Sequence, residues 1–501
     1  MHAPGPHGRG AVMNRRTLFN IAANHLFFFA NALAGLVAGP LLLAWLGPMG
    51  FGAWKASQRF FDIAISPDGG AVQALKWIVA RQSAGTDRAG RQRAVGAAVV
   101  LWALWLPALL AVAAVLILAL PALIAGLDAE QARIVREAGL ILAANMLLAG
   151  LLNIPNAVLI GSQLGYAGMV LRTAILVLST AAMVGAAMLG FGLAGLALVV
   201  LAATLLNGVL CWLIVRRRVS WWGVRRPERG DIKEAAAFSG WMLLWTYVQR
   251  LLLASEIVLF SIFAGAITVT AYVFTAYASQ FALAATQLTA SAITPALAMA
   301  QGARNGQEAK RLAASIRETT LAIATFCGCA ILLFNPSFVA LWAGEAQFLG
   351  AAANVLIVLL LVQLALLRSE IQIEEASLAM RRPALAGAAA MLAGLALGAL
   401  AWTIWNRGEA LLLGLFAGRS LGILLLARPG ADTGYRPLQL LACAALLLVC
   451  SALGNMLHLD WAGLLLLAPP TLLGLLALIA RIVPSTTTRD GIFLQLRARR
   501  I

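Results

Sequence analysis

Long apolar segments recur along this sequence, and they limit the folds that the chain can adopt. Hydrophobic residues make up 62% of the 501 residues and charged residues only 11%, a balance unlike that of soluble proteins. About fourteen segments are long enough to cross a bilayer as helices. Since a backbone in lipid must satisfy its own hydrogen bonds, the sequence predicts an all-α, polytopic membrane protein. The predicted spans are roughly 18–46, 51–80, 95–120, 134–155, 166–189, 193–215, 238–263, 270–300, 315–342, 350–373, 383–405, 409–427, 437–456 and 462–482.

Most basic residues lie in the loops on one side of these spans. Roughly 30 of the 37 Lys and Arg residues fall on or next to that side, for example in the stretch 216–233. This bias predicts that the basic side is cytoplasmic and that both termini lie there. The net charge of +17 is therefore attributed to membrane orientation. Nucleic acid is excluded as a partner because no basic groove is interleaved with aromatic residues.

The segment 45–81 combines a membrane-spanning length with charged residues. Lys55, Arg59 and Asp62 fall at positions i, i+4 and i+7, so they share one helical face. A Pro-Asp-Gly-Gly sequence containing Asp68 then interrupts the helix. Charged groups are costly at the bilayer centre, so they normally face a bundle interior or a watered cavity. We predict that Lys55, Arg59 and Asp62 bind substrate in a polar cavity. We also predict that Asp68 takes part in ion or proton coupling. The alternative is structural, with a snorkelling Lys55 and an ion pair between Arg59 and Asp62.

Two other predicted spans carry polar residues that are candidates for the same cavity. Asn24 and Asn31 lie one above the other on span one, and they are candidates for binding substrate, with His25 as a coupling candidate. Hydrogen bonding between helices is the structural alternative for these amides. In span seven, Arg250 is a candidate for substrate binding and Glu256 for coupling. These two residues lie six positions apart and do not share a helical face. One of them can therefore face the cavity while the other forms a structural ion pair.

An internal repeat relates the two halves of the chain. Gly47–Trp54 opens span two and Gly265–Tyr272 opens span eight, with an aromatic residue at the same offset from the glycine. Because six spans separate the copies, we predict two pseudo-symmetric six-helix lobes related by an axis along the membrane normal. The predicted parts are a disordered tail (1–13), an N-lobe (14–215), a basic cytoplasmic linker (216–236), a C-lobe (237–427), two further spans (437–482) and a basic cytoplasmic tail (483–501).

Two smaller patterns predict contacts with the membrane surface and between helices. Trp221 and Trp222 in the basic linker suit the headgroup level, which favours an interfacial amphipathic segment. Glycines at small-xxx-small spacing predict close helix packing in spans eleven and twelve: Gly394 and Gly398, and Gly414, Gly418 and Gly422.

Several short motifs in this order resemble one family of membrane proteins. They are Leu46-Gly47 with Phe51-Gly52, Asp68-Gly69-Gly70 followed by Ala74–Ala80, and Glu256 with Gly265, Ala271-Tyr272 and Pro295. With these motifs the chain, over about residues 14–480, resembles the polysaccharide-transporter branch of the multidrug/oligosaccharidyl-lipid/polysaccharide (MOP) flippase superfamily, the O-antigen flippase type. Glu256 stands where that family more often has Asp.

The resemblance implies a function and a set of partners. It implies a flippase in the bacterial inner membrane that moves an undecaprenyl-diphosphate-linked oligosaccharide to the outer leaflet, for O-antigen or exopolysaccharide biosynthesis. The implied partners are this polyprenyl diphosphate lipid, membrane lipids, and polysaccharide polymerase and chain-length proteins. No cofactor is implied.

Two other functions remain open at this point. A cation-coupled multidrug exporter of the MATE type should carry a carboxylate cluster without excess cavity cations, whereas the charges within the spans here lean basic. A membrane enzyme of glycan assembly is the weaker alternative. The four His residues form no Ser/His/Asp set, no phosphate-binding glycine loop is present, and no cluster has metal-ligand spacing. We therefore predict neither catalytic residues nor a metal site.

Overall fold

The computed structural model of this chain describes residues 15–64, 71–82, 87–303, 305–376, 381–426 and 437–483. Within these ranges the regular structure is entirely helical, which confirms the all-α prediction. A π-helical turn over Phe260–Ala264 and a 3₁₀ turn over Glu345–Gln347 supplement the α-helices. The α-helices are α1 (Arg15–Ala64), α2 (Ala71–Arg81), α3 (Arg88–Ala119), α4 (Ala129–Leu152), α5 (Ile154–Gly161), α6 (Gly165–Met188), α7 (Gly192–Arg218), α8 (Arg229–Leu259), α9 (Gly265–Thr275), α10 (Tyr277–Gly302), α11 (Gly306–Ala343), α12 (Ala351–Glu375), α13 (Arg381–Trp405), α14 (Gly408–Leu426), α15 (Pro437–Gly454) and α16 (Trp461–Ile482).

Among the described residues, 13 helical stretches are long and apolar enough to cross a membrane, compared with about fourteen predicted. The difference arises at the first pair of predicted spans, which form one stretch over Ala22–Ala64. Gly47 interrupts the helical backbone there with φ 69° and ψ 170°. Glycine adopts such positive φ values at little cost because it has no Cβ. The chain is therefore polytopic, and its first long helix contains a bend instead of a loop.

The chain forms two compact units. Unit 1 comprises Met1–Trp45, Ala64–Ile117 and Glu137–Gly240, and unit 2 comprises Leu46–Ile63, Leu118–Arg136 and Trp241–Ile501. The division into an N-lobe at 14–215 and a C-lobe at 237–427 stays a prediction.

In unit 1, the aromatic residues of the predicted linker pack into the core. Trp221 is only 8% exposed and belongs to a cluster with Val95, Val158 and Val215. The chain from 219 to 228 forms no helix, and the Trp221 carbonyl accepts a 3.0 Å hydrogen bond from the Gln92 side chain. The prediction of an interfacial amphipathic segment at Trp221 was therefore wrong. Burial among apolar side chains removes the large indole surface from water without placing it at a headgroup.

In unit 2, α13 and α14 pack closely through their glycines. A Cβ added to Gly418 would lie 2.3 Å from Gly394 N, and one added to Gly414 would lie 2.3 Å from the Leu397 carbonyl oxygen. A Cβ on Gly422 would similarly lie 2.3 Å from the Ala390 Cβ. No side chain fits at such distances, so the predicted small-residue packing of spans eleven and twelve is confirmed.

Candidate functional site

Two matching backbone bends shape the region of unit 2 that contains most of the predicted site residues. Gly47 has φ 69° and ψ 170°, and Gly265 has φ 83° and ψ 174°. These glycines are the first residues of the two repeat copies recognised in the sequence. The copies therefore begin with the same conformation, one that non-glycine residues rarely adopt.

The part of α1 that follows Gly47 packs directly against α9. The Thr270 hydroxyl donates a 2.6 Å hydrogen bond to the Pro48 carbonyl, and the ring of Phe51 stacks on that of Phe274 at 5.1 Å. A Cβ on Gly52 would lie 1.8 Å from the carbonyl oxygen of Ala266, so only glycine allows this approach. These contacts fix the helical segment that carries Lys55, Arg59 and Asp62 one to three turns further along.

The structure brings four of the predicted binding residues together. Lys55 and Arg59 are partly buried, while Asp62 is exposed. Arg59, Arg250 and Lys55 all lie near enough to Asp62 to interact with it electrostatically. Arg250 also donates a 2.5 Å hydrogen bond to the main-chain carbonyl of Asp62, which joins α8 to the end of α1. We call these four residues the cation cluster.

The cation cluster carries more positive than negative charge. It contains three basic side chains and one carboxylate, which leaves an excess of two positive charges. The Lys55 ammonium lies 5.4 Å from the centre of the Phe51 ring, a cation–π distance that holds it beside apolar surface. Cations in such surroundings attract an anionic group more strongly than they would in water, because the local dielectric constant is lower.

Glu256, the predicted coupling residue, forms a buried ion pair. Its Oε1 lies 2.8 Å from Nη2 of Arg419, a residue of α14 that is only 1% exposed. The same nitrogen donates to the Leu252 carbonyl at 2.7 Å and to the Ser255 hydroxyl at 2.6 Å. Sequence reasoning missed Arg419. The available signal was a single arginine in the otherwise apolar stretch of α14, which is costly unless it is paired.

A small cavity adjoins this ion pair inside unit 2. It has a volume of about 70 Å³, and its polar lining includes Glu256, Tyr272, Ser279 and Gln280. The remaining lining is mostly Leu and Ile from α8 and α12, so the space admits little more than a few waters. The coupling role of Glu256 stays a prediction.

The other predicted site residues lie elsewhere. Asn24, His25 and Asn31 belong to the part of α1 in unit 1, and all three side chains are exposed. Asp68 lies outside the described residues. The cation cluster of unit 2 is therefore the group of predicted residues that the structure shows to be close together.

Part of this chain matches a known protein family in sequence, and several solved structures resemble its fold. Residues 98–346, about half of the chain, match the model of a family described as polysaccharide biosynthesis protein. The structure of the lipid II flippase MurJ in an inward closed conformation covers 94% of this chain and 100% of its own, with 13% identity and a TM-score of 0.69. An inward-facing multidrug resistance MATE family transporter of the MOP superfamily covers 83% of this chain and 95% of its own, with 15% identity and a TM-score of 0.66.

The chain has the fold of MOP-superfamily proteins, and about half of it matches the polysaccharide biosynthesis family. This confirms the resemblance inferred from the sequence motifs. Another similar structure is that of a MOP superfamily transporter from Pyrococcus furiosus, with 16% identity and a TM-score of 0.53 over 87% of this chain and 95% of that one. No curated protein matches the sequence.

Proposed function

We propose that this protein is a flippase that moves a polyprenyl-diphosphate-linked oligosaccharide to the outer leaflet of a bacterial inner membrane. The observation that carries the proposal is the cation cluster, in which Lys55, Arg59 and Arg250 outnumber the single carboxylate of Asp62. A diphosphate headgroup needs cations that hydrogen-bond its oxygens once it leaves water. The family description, polysaccharide biosynthesis, agrees with a glycan cargo.

The charges of unit 2 favour this cargo over a cationic drug. A cation-coupled exporter of cationic compounds needs carboxylates that are not already neutralised. Here Glu256 is paired with Arg419, and Asp62 lies among three basic side chains. A cationic cargo would be repelled by the cluster, whereas an anionic one is attracted. A membrane enzyme of glycan assembly is less well supported, because the similar solved structures are described as transporters and a flippase.

The proposed pathway also assigns partners and a site of action. The cargo is made on the cytoplasmic leaflet and consumed outside, so polymerase and chain-length proteins would act on it after transfer. We assign the function to O-antigen or exopolysaccharide biosynthesis. Membrane lipids surround the exposed apolar faces of the helices, and no enzymatic activity is assigned to the protein.

Deletion of the gene in its own bacterium tests the proposed function. We expect loss of surface polysaccharide and accumulation of the lipid-linked oligosaccharide on the cytoplasmic leaflet, with tolerance of cationic drugs unchanged. A plasmid copy should restore the surface polysaccharide. Unchanged polysaccharide together with increased sensitivity to cationic drugs would instead identify a drug exporter.

Cysteine labelling tests the proposed orientation, which places both termini in the cytoplasm. The measurement uses a variant in which the five native cysteines are replaced. Because the basic bias marks the cytoplasmic side, Arg225→Cys and Gln495→Cys should react with an impermeant maleimide only after permeabilisation. Arg407→Cys, on the opposite predicted side, should react in intact spheroplasts and serves as the control. Labelling of position 225 in intact spheroplasts would show that the orientation is the opposite of the one proposed.

A further inference from the structure

A second cavity lies within unit 1, far along the chain from the cation cluster. It has a volume of about 390 Å³, within the range typical of small-molecule sites. It opens where α5 ends, α6 begins and α7 ends. The residues that line it are Ser162, Leu164, Tyr166, Arg218, Val219, Ser220 and Trp221.

The lining of this cavity combines a cation with hydroxyl groups. Arg218 is exposed, and its Nη1 donates a hydrogen bond of 3.4 Å to the Tyr166 hydroxyl. The Ser162 Oγ is buried and has no hydrogen-bond partner within the described part of the chain. None of the lining residues is acidic. A guanidinium with nearby hydroxyl donors suits a phosphate group, since it offers several charge-assisted hydrogen bonds to its oxygens.

An exposed apolar stripe leads away from the same cavity along α6. Tyr166, Val170 and Val177 fall at positions i, i+4 and i+11 and so lie on one face of that helix. Val170 is 49% exposed and Val177 is 54% exposed. A ligand with a phosphate in the cavity could therefore lay acyl chains along this stripe, as membrane lipids do.

Other basic residues lie close to residues that line the cavity. Arg216 and Arg217 precede Arg218, and the Arg91 guanidinium lies 5.2 Å from the ring of Trp221. Such a group at the end of a transmembrane helix attracts anionic lipid headgroups, each basic residue contributing to the attraction near the surface.

We propose that this cavity binds the phosphate headgroup of an anionic glycerophospholipid, with Arg218 as the main phosphate ligand and Tyr166 and Ser162 as further donors. The lipid is a bound component of unit 1 and is separate from the transported cargo. The proposal does not depend on the cargo of the cation cluster, so either assignment can fail alone.

Native mass spectrometry of the full-length protein in detergent tests this site. The protein is titrated with phosphatidylglycerol, with the zwitterionic phosphatidylcholine, and with inorganic phosphate. Wild-type protein should bind one phosphatidylglycerol more tightly than phosphatidylcholine, and millimolar inorganic phosphate should not displace it. Arg218→Gln should weaken phosphatidylglycerol binding about tenfold, because it removes a charge-assisted hydrogen bond. Tyr166→Phe should weaken it by a smaller factor.

Matched variants separate the site from general charge effects. Arg217→Gln removes the same charge from the neighbouring residue, which does not line the cavity, and should weaken phosphatidylglycerol binding far less than Arg218→Gln does. Arg218→Lys keeps the charge and should retain most of the affinity. Equal losses in Arg217→Gln and Arg218→Gln, or no loss in Arg218→Gln, would overturn the assignment.

The remaining outcomes identify the source of the phosphate. Displacement by inorganic phosphate would show a site for free anions and overturn the lipid proposal. Tighter, Arg218-dependent binding of an added polyprenyl diphosphate would show that the cavity receives the cargo lipid, which would also overturn the glycerophospholipid assignment.

Discussion

Replacing Lys55 and Arg59 together by alanine should abolish glycan export while leaving the protein in the membrane at its normal level. Both side chains belong to the cation cluster, and both lie near enough to Asp62 to interact with it electrostatically. A hydrogen bond between charged groups contributes about 1.5–3 kcal/mol, and each 1.4 kcal/mol is a factor of ten. Losing two such contacts to a diphosphate should reduce export at least about a hundredfold. The measurement is surface polysaccharide in the deletion strain carrying the variant, with membrane protein level determined in parallel.

Two comparisons make this result specific to the cluster. Arg225→Ala with Arg226→Ala removes the same charge from two exposed residues of the loop after α7, and export should be unchanged. Lys55→Arg keeps a cation beside Phe51 and should retain most activity. Full surface polysaccharide in the Lys55/Arg59 double variant would show that the cluster does not bind cargo.

Replacing Arg419 by methionine should strongly destabilise the protein. The change leaves the Glu256 carboxylate buried without its cation, and it removes the hydrogen bonds to Leu252 and Ser255. Breaking a buried ion pair by removing one partner costs about 3–5 kcal/mol, because a charge remains buried and uncompensated. Thermal unfolding of the purified protein in detergent should show a lower Tm than that of the wild type.

A double variant distinguishes the effect on Tm of losing the ion pair from the effect of losing the packing of the Arg419 side chain. Combining Arg419→Met with Glu256→Gln removes both charges together and should recover part of the lost Tm, since no uncompensated ion remains. Arg407→Met, which changes an exposed arginine in the turn before α14, should leave the Tm at the wild-type value. An unchanged Tm for Arg419→Met would contradict the structural role assigned to the pair.

The parts of the fold that depend on local sequence patterns could be predicted from the sequence. Apolar length predicted the helices, since a backbone in lipid has few alternatives. The repeat at Gly47 and Gly265 could be recognised because each bend needs a residue that tolerates positive φ. Helical spacing alone was enough to place Lys55, Arg59 and Asp62 on one face.

The parts of the fold and of the candidate site that depend on contacts between distant segments could not be predicted from the sequence. Glu256 and Arg419 lie on helices far apart in the chain, so the sequence contains both costly charges but does not show that they pair. Arg250 approaches Asp62 only because α8 packs beside the end of α1. Trp221 suited either a membrane surface or a core, and tertiary packing against Val95 and Val158 determined which one formed.

Flipping of a fluorescent lipid-diphosphate oligosaccharide in vesicles that contain the purified protein tests the central claim most directly. The rate is followed by quenching the label that remains in the outer leaflet. Wild-type protein should flip this lipid much faster than protein-free vesicles do. A potential that is negative on the side where the lipid starts should accelerate transfer, by up to about 2.3 kcal/mol per charge for 100 mV. The Lys55→Ala/Arg59→Ala protein should be indistinguishable from protein-free vesicles. Wild-type vesicles that flip the lipid no faster than protein-free ones would contradict the account.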